Sequence, residues 1–232
     1  MATRYLAGVA LILNIDTAVQ AASVCLADGE KVLATDNNPF EKDSAAWLHM
    51  AIQTILRKND VKPAQLDAVA VSAGPGSYTG LRVGMAAAKG LCYALSLPLI
   101  AVSTLQMMAA AVTNPSTPLL CPMIDARRME VFTALYDHSL IEIMPAANLI
   151  LSEESFSSYL KKDAISFFGN GSKKAAALIN HPAAIFVDIA ATAYHMVNLS
   201  HNKFEANQFS DLAYSEPFYG KAFYLSIPKK IY

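Results

Sequence analysis

Charged side chains are scarce in this chain of 232 residues, and neither sign dominates. Only 16% of the residues are charged, and 18 basic residues against 19 acidic ones leave a formal net charge of −1. Domains that bind nucleic acids carry clustered Lys and Arg, whereas the basic pairs here, such as Arg127-Arg128 and Lys173-Lys174, are scattered along the sequence. The composition therefore predicts no basic nucleic-acid surface. The 54% hydrophobic content indicates a compact globular protein.

The sequence also lacks the usual patterns for disulfide bonds, metal sites and membrane spans. The three cysteines are far apart without a C-x-x-C pair, which favours reduced core residues in a cytoplasmic protein. The five histidines form no H-x-x-x-H or H-E-x-x-H pair, so no metal site or metallopeptidase is predicted. A G-x-S-x-G nucleophile elbow is missing. No apolar run reaches the roughly 18 residues that a membrane span needs, and residues 1–10 are interpreted as a loose leader.

The stretch from Val69 to Leu95, VAVSAGPGSYTGLRVGMAAAKGLCYAL, organises the chain. A short apolar run precedes Gly74-Pro75-Gly76, and a helical pattern begins near Thr79, so the predicted order is strand, tight loop and helix. Glycines let a ligand or another backbone segment come close, and a helix N-terminus favours anions. The pattern predicts either an anion-binding loop or a turn that only packs against the sheet. The candidate anion-binding residues of this stretch are Gly74, Gly76, Ser77, Thr79, Gly80 and Arg82.

The helix that follows the loop carries a face of small residues. Gly80, Gly84 and Ala88 recur every four residues and so share one side of the helix. A glycine inside a helix costs about 1 kcal/mol relative to alanine. The pattern therefore indicates close packing of this face, either inside the protein or against a partner.

Strands and helices alternate along the chain, which indicates an α/β fold. Two strings, ILNIDTAVQAASVCL and CPMIDARRMEVFTALY, share the order of apolar strand, Ile-Asp, polar turn and alternating strand. Such a repeat predicts an internal duplication. We expect an N-terminal domain over residues 11–104, a C-terminal domain over 105–212, and an aromatic and basic tail over 213–232 that packs back on the N-terminal domain.

Three segments resemble the TsaB (YeaZ) family: LILNIDTAVQAASVCL, SAGPGSYTGLRVGMAAAKGL and PLIAVSTLQMMA. The resemblance runs from Leu11 to Ala109 and thins out in the second half. It implies two related actin-like, ribonuclease-H-like domains that face a cleft, each a mixed sheet with flanking helices. That family belongs to the actin, Hsp70 and sugar-kinase superfamily and helps to make threonylcarbamoyladenosine in tRNA.

The resemblance also implies a non-catalytic subunit that heterodimerises with the related protein TsaD and enables the ATPase TsaE to bind. ATP and metal are then expected in the partner subunits, with no cofactor bound by this chain and with tRNA reached indirectly through the complex. Homodimers are expected in the absence of TsaD. The helices over residues 43–58 and 79–95 would form the interface. Its expected residues are Leu48, Ile52, Gly80, Leu81, Val83, Gly84, Ala87, Ala88 and Leu91.

Asp16 and Thr17 end the first strand, where the superfamily places its first phosphate contact. The hairpin that they begin, Asp16 to Gln20, contains no glycine, so side chains would crowd an approaching phosphate. Asp16 is therefore either a phosphate contact or a turn cap.

An independent nucleotide-dependent phosphotransferase of the sugar-kinase type is the alternative function. Such an enzyme needs a carboxylate for Mg²⁺ and a general base, and Asp16 and Asp125 are the candidate carboxylates. Asp125 with Glu130 could act as an acid/base pair or could cap a turn and decorate a strand.

Overall fold

The structure, a computed structural model, describes residues 9–19, 21–40 and 43–220. The expected leader up to residue 8 and the tail from residue 221 lie outside the described residues. In the first half the elements are β1 (Leu11–Asp16), β2 (Ser23–Asp28), β3 (Lys31–Asn37), α1 (Ser44–Lys58), β4 (Ala68–Ser72), α2 (Tyr78–Leu95) and β5 (Leu99–Val102). The remaining elements are α3 (Thr104–Ala110), β6 (Leu119–Asp125), β7 (Glu130–Tyr136), β8 (Glu142–Ile150), α4 (Ser157–Leu160), β9 (Ile165–Phe168), α5 (Ser172–Ala176), β10 (Ala184–Phe186) and α6 (Val197–Glu205).

The strands form two five-stranded sheets with the same topology. The first has the order β3-β2-β1-β4-β5 and the second β8-β7-β6-β9-β10. In each sheet the first three strands are antiparallel neighbours, and the last two extend the sheet in parallel. The prediction of two related mixed sheets with flanking helices is confirmed. The repeated strings span β1–β2 and β6–β7, and their Ile-Asp pairs end β1 and β6, the central strand of each sheet.

Helices cover both faces of the first sheet, so its central strands are buried on both sides. Leu13 and Ile15 of β1 pack with α1 and α2 on one face, in a cluster that includes Leu48 and Met85. Ile12 of β1 faces the opposite side with Met107 of α3 and Met196 of a 3₁₀ turn over Ala193–Met196. The N-terminal sheet therefore lies between two helical layers.

Helix α3 packs between the two sheets. Met107 belongs to the core of the first sheet, whereas Leu105 and Met108 belong to a cluster with Phe132 and Phe168 of the second sheet. Ser103 begins this helix by accepting a hydrogen bond from the Gln106 N–H. One short helix thus contributes apolar side chains to both halves of the molecule.

Helix α6 and the residues beside it return to the first sheet, whereas the predicted C-terminal domain extended to residue 212. Leu199 and Phe204 of α6 pack against its core, and the Ser210 N–H donates to the Leu99 carbonyl at 2.8 Å. The physical reason is that the face of β1, β4 and β5 opposite α1 and α2 is apolar and needs cover. Residues 193–210 supply part of that cover, so they pack with the N-terminal domain.

Strand β8 is the element that sequence patterns missed. It pairs with β7 through irregular register, contains Pro145 and lies at a sheet edge, which is where proline is tolerated. The helix that follows β8 is short, because only Ser157–Leu160 is α-helical. No helix in the described part of the chain is long and apolar enough to cross a membrane.

Candidate functional site

A cleft of about 1280 Å³ separates the two halves of the molecule. One wall is formed by the turn after β1 and the start of α2, and the other by the β6–β7 hairpin with parts of β7 and β8 and the start of α5. Tyr219 and Gly220, the last residues that the structure describes, border the cleft on one side. The lining residues are Ala18, Val19, Gly76, Ser77, Tyr78, Thr79, Ile124, Asp125, Ala126, Arg127, Arg128, Glu130, Phe132, Asn148, Ile150, Asn170, Tyr219 and Gly220.

The glycines of the loop before α2 bring the chain close to its own backbone. A Cβ at Gly74, which has a φ of 112°, would overlap the Phe218 carbonyl. A Cβ at Gly76 would overlap the Ala18 carbonyl, and one at Gly80 would overlap the Thr17 carbonyl. Of the two interpretations of these glycines, close packing of a turn is the one that the geometry explains. Gly74 and Gly80 do not line the cleft, whereas Gly76 does.

Ser77 caps α2. Its hydroxyl accepts a hydrogen bond from the Gly80 N–H at 3.2 Å, and its own N–H donates to the Ala18 carbonyl at 2.6 Å. These bonds fasten the β1–β2 turn to the helix start. Ser77 and Thr79 line the cleft and are exposed, so the candidate anion-binding residues that reach the cleft are these two and Gly76.

Asp16 lies beneath the loop and faces no ligand space. The side chain is 2% exposed, and its Oδ1 accepts hydrogen bonds from the Ser72 hydroxyl at 2.6 Å and the Ala18 N–H at 3.0 Å. Burial raises the pKa of this carboxyl, although these hydrogen bonds oppose the shift. The Thr17 hydroxyl donates to the Gly80 carbonyl at 2.7 Å. Both side chains hold the turn, and neither lines the cleft.

Arg82 also lies outside the cleft and binds the end of the described chain. Its Nε donates to the Tyr219 hydroxyl at 3.2 Å, and its guanidinium carbon lies 4.1 Å from the centre of the Tyr78 ring. The Phe218 N–H donates to the Ala73 carbonyl at 2.7 Å. Arg82 therefore contacts Tyr219, which belongs to a segment that runs from the loop before α2 towards Phe132 in the second sheet.

The opposite wall is built on the β6–β7 turn. The Asp125 carboxylate accepts a hydrogen bond from the Arg127 N–H at 2.6 Å and forms an ion pair with Lys174 of α5. Burial opposes ionisation, but the bonds from Lys174 and Arg127 outweigh it and lower the pKa of Asp125. Glu130 accepts a hydrogen bond from Asn148 at 2.7 Å. Of the two roles open to Asp125, the geometry supports capping the turn.

Arg127 and Arg128 line the cleft, and sequence reasoning missed them as functional candidates. Both are exposed and adopt left-handed backbone conformations, with φ of 66° and 48°. The internal repeat contained the signal. Aligning ILNIDTAVQ with CPMIDARRM sets the two arginines opposite Ala18 and Val19, which line the other wall of the same cleft.

The small-residue face of α2 packs inside the chain, which corrects the expected interface. A Cβ at Gly84 would overlap the Thr17 hydroxyl and contact Val71. Val83 and Leu91 are half-buried. The close approach that the glycines indicate is thus an intramolecular one. The other expected interface residues are buried in the same domain, namely Leu48, Ile52, Gly80, Leu81, Gly84, Ala87 and Ala88.

The outward side of the same two helices is a different set of residues. Beyond the first turn of α2, the exposed residues are Arg82, Ala86, Gly90, Tyr93 and Ala94, and Tyr93 is 83% exposed. On α1 it includes Met50, which is 62% exposed.

In the described residues the cysteines are buried and the potential metal ligands do not cluster. Cys25, Cys92 and Cys121 are buried free thiols, and burial raises the pKa of Cys25 and Cys121 to about 12 and that of Cys92 to about 11. Across residues 9–19, 21–40 and 43–220, no three His, Cys, Asp or Glu side chains group where a metal ion could be held.

Two five-stranded mixed sheets of the same strand order, with flanking helices and a cleft between them, define an actin-like α/β protein of two related halves. Residues 39–216 match the family model described as "TsaD: tRNA N6-adenosine threonylcarbamoyltransferase". The chain belongs to the TsaB (YeaZ) family, within the wider family that this model describes.

Individual relatives are consistent with this assignment. The "tRNA threonylcarbamoyladenosine biosynthesis protein TsaB" of Bacillus subtilis is 34% identical over 145 residues, covering 61% of this chain and 63% of that protein. The protein of the same description from Escherichia coli is 40% identical over 131 residues, covering 54% of each. The matches thus span between half and two thirds of the relatives' own length. A solved structure from Pseudomonas aeruginosa, described as similar to peptidase YEAZ, has a TM-score of 0.82 at 23% identity and covers 91% of this chain and 100% of that one.

Proposed function

We propose that this chain is a non-catalytic subunit of the complex that transfers a threonylcarbamoyl group from threonylcarbamoyl-adenylate to the adenosine next to the anticodon of tRNA. In this proposal it heterodimerises with a TsaD protein and enables TsaE to bind, and it homodimerises when TsaD is missing. The ATP and the metal of the reaction belong to the partner subunits. The relatives' descriptions as tRNA threonylcarbamoyladenosine biosynthesis proteins support the assignment to this process.

The observation that carries the proposed interface is the exposed side of α2. Ala86, Gly90 and Ala94 recur every four residues, so small side chains form an outward stripe, with the exposed Tyr93 beside it. Small residues let another helix approach closely, and an exposed tyrosine is a common anchor in protein interfaces. The proposed interface is therefore the exposed side of the helix, and not the small-residue face that the sequence suggested.

The environment of Asp16 supports a non-catalytic role. A phosphotransferase needs a carboxylate that can reach Mg²⁺ and phosphate, but Asp16 is buried under the loop and engaged by Ser72 and Ala18. The other candidate, Asp125, is held by Lys174 and the Arg127 N–H. The alternative of an independent sugar-kinase-type enzyme predicts turnover of ATP with Mg²⁺ by the isolated chain. We expect none.

The test is a substitution on the outward stripe. Ala86→Glu should leave the monomer folded, because Ala86 is exposed, and should weaken association with the TsaD protein of the same organism at least about tenfold by burying an unpaired charge. Ala176→Glu, at an exposed site on α5 in the other half, is the matched control. Light scattering after size exclusion and titration calorimetry measure the complex. Equal affinity of both variants for TsaD would refute the interface, and no complex with the unmodified chain would refute the proposed function.

A further inference from the structure

The sequence contains a single Asn-Gly pair, Asn170-Gly171, in the turn between β9 and α5. Asparagine followed by glycine is the pair most prone to deamidation, because glycine has no Cβ to keep its backbone nitrogen away from the neighbouring side-chain amide. Asn170 is exposed and lines the cleft, so water reaches its amide. The pair is therefore a candidate site for a covalent modification that needs no enzyme.

The side-chain amide of Asn170 is fixed to the neighbouring strand. Its Oδ1 accepts a hydrogen bond at 2.8 Å from the N–H of Asp125, which ends β6. Deamidation requires the Asn170 side chain and the Gly171 peptide to rotate towards each other until Cγ meets the nitrogen. Rotation of the side chain breaks the bond to Asp125, so this bond opposes the reaction.

The nucleophile of the reaction, the Gly171 nitrogen, is engaged as well. Its N–H donates to the Met123 carbonyl of β6 at 3.1 Å. The nitrogen attacks only after losing its proton, and a hydrogen bond to a carbonyl stabilises the protonated form. A Cβ at Gly171 would lie 2.9 Å from a Val131 methyl group and 3.0 Å from the Ile124 carbonyl carbon. The turn is thus packed closely against β6 and β7 and has little room to rearrange.

Ser172 holds the same turn from within. Its hydroxyl donates to the Gly169 carbonyl at 2.7 Å, and its N–H donates to that carbonyl at 3.1 Å. The Ser172 residue is only 8% exposed, so water competes poorly for these bonds. Both reacting groups therefore lie in a turn that is bonded to itself and to β6.

We propose that Asn170 is a deamidation site that the folded turn suppresses, and that the modification follows local opening of the β9–α5 turn. In the reaction the deprotonated Gly171 nitrogen attacks Cγ of Asn170. The new C–N bond closes a five-membered succinimide, and the side-chain nitrogen takes up a proton from water and leaves as ammonia. A water molecule then opens the ring at one of its two carbonyl groups, which gives aspartate or isoaspartate at position 170.

The two products should differ in their effect on the turn. Aspartate keeps an oxygen that can accept the Asp125 N–H bond. Isoaspartate lengthens the backbone by one methylene group just before Gly171, where the packing leaves no spare room. Helix α5 follows directly and carries Lys174, which forms the ion pair with Asp125. We therefore expect isoaspartate to loosen α5 and this wall of the cleft.

The test follows deamidation of Asn170 by mass spectrometry of proteolytic peptides, since a carboxyl group and an amide differ in mass. The chain is incubated at mildly alkaline pH, either folded or unfolded in guanidinium chloride. The folded chain should react at least about tenfold more slowly, because only the opened turn reacts. A synthetic peptide of residues 165–176, incubated in both solutions, corrects for any effect of the denaturant on the chemistry.

A pair of variants tests whether the turn is what suppresses the reaction. Ser172→Ala removes the hydroxyl bond to the Gly169 carbonyl and should speed deamidation of the folded chain several-fold, without changing the rate in the unfolded chain. Lys173→Ala, at an exposed site on the same helix, is the matched control and should react like the unmodified chain. A thermal melt verifies that each variant is folded.

Three results would overturn the proposal. Asn170 could react as fast in the folded chain as in the unfolded one, it could fail to react even when unfolded, or the folded Ser172→Ala and Lys173→Ala variants could react at the same rate. The isolated chain is used throughout and association with TsaD is not measured, so these outcomes leave the proposed function unaffected.

Discussion

At the scale of single residues, Asp16 shows how one side chain can fit two roles in a sequence and one in a structure. Its place at the end of β1 was compatible with a phosphate contact or with a turn cap. The structure buries it and directs the Ser72 hydroxyl and the Ala18 N–H at Oδ1. A carboxyl group so placed holds the turn through its hydrogen bonds and has no open path to a ligand.

Burial of Asp16 predicts a pH dependence of stability. Because burial raises its pKa above the value in the unfolded chain, the folded protein binds the proton more tightly. The contribution of this group to stability is therefore greatest at acidic pH and falls as pH rises through the folded-state pKa. Asp16→Asn removes the titration, so the free energy of unfolding of the natural chain relative to that variant should decrease from pH 4 towards neutral pH.

Chemical denaturation at a series of pH values measures this difference. Asp163→Asn, at an exposed position, is the control for general effects of removing a carboxylate. A difference between the natural chain and Asp16→Asn that stays constant with pH, or that grows as pH rises, would contradict the prediction.

At the scale of the element, α2 has two small-residue stripes with different environments. Gly80, Gly84 and Ala88 face inward, where Gly80 and Gly84 pack against the Thr17 segment, whereas Ala86, Gly90 and Ala94 face outward. Both stripes repeat every four residues, so periodicity alone could not say which one was buried. The position of the β1–β2 turn over the helix decides it.

The two stripes predict opposite effects of the same substitution. Gly84→Ala would push a Cβ into Thr17 and should destabilise the monomer by about 1–3 kcal/mol even after the gain in helix propensity. Gly90→Ala meets nothing within 4 Å and should stabilise the monomer by up to about 1 kcal/mol. Thermal or urea unfolding of the two variants is the measurement. Equal effects at the two positions would mean that Gly84 is not in close contact.

At the scale of the whole molecule, the last described segment connects the two halves. Lys89 of α2 donates to the Ala213 and Ser215 carbonyls at 3.1 Å, and Arg82 binds Tyr219. Gly220 then lies against Phe132 of β7, where a Cβ would overlap the ring. The segment forms part of the cleft border through Tyr219 and Gly220.

The contacts of Arg82 should therefore keep this segment ordered. Arg82→Ala removes the hydrogen bond to Tyr219 and the contact with the Tyr78 ring, so amides over residues 213–220 should exchange with deuterium several-fold faster. Arg57→Ala, at an exposed site on α1, is the control and should leave that segment unchanged. Unchanged exchange in the Arg82 variant would show that other contacts hold the segment.

The sequence by itself determined the local structure and the duplication. Apolar periodicity, the Ser77 cap and the Gly74-Pro75-Gly76 loop are encoded by neighbouring residues, so α1, α2 and the β4–loop–α2 unit could be predicted within a residue or two. The repeated Ile-Asp strings likewise predicted two related sheets. Strand β8 was missed because an edge strand with Pro145 and irregular register lacks a clear alternation.

Only the tertiary structure decided which groups meet. Thr17 and Gly84 are 67 positions apart, so nothing local could reveal that the glycine face of α2 receives the β1–β2 turn. The return of α6 to the first sheet, the contact of Arg82 with Tyr219, and the meeting of Arg127 and Arg128 with the start of α2 across one cleft depend on long-range packing in the same way. The physical reason is that side-chain accessibility is set by what covers a face, and the covering segments come from distant parts of the chain.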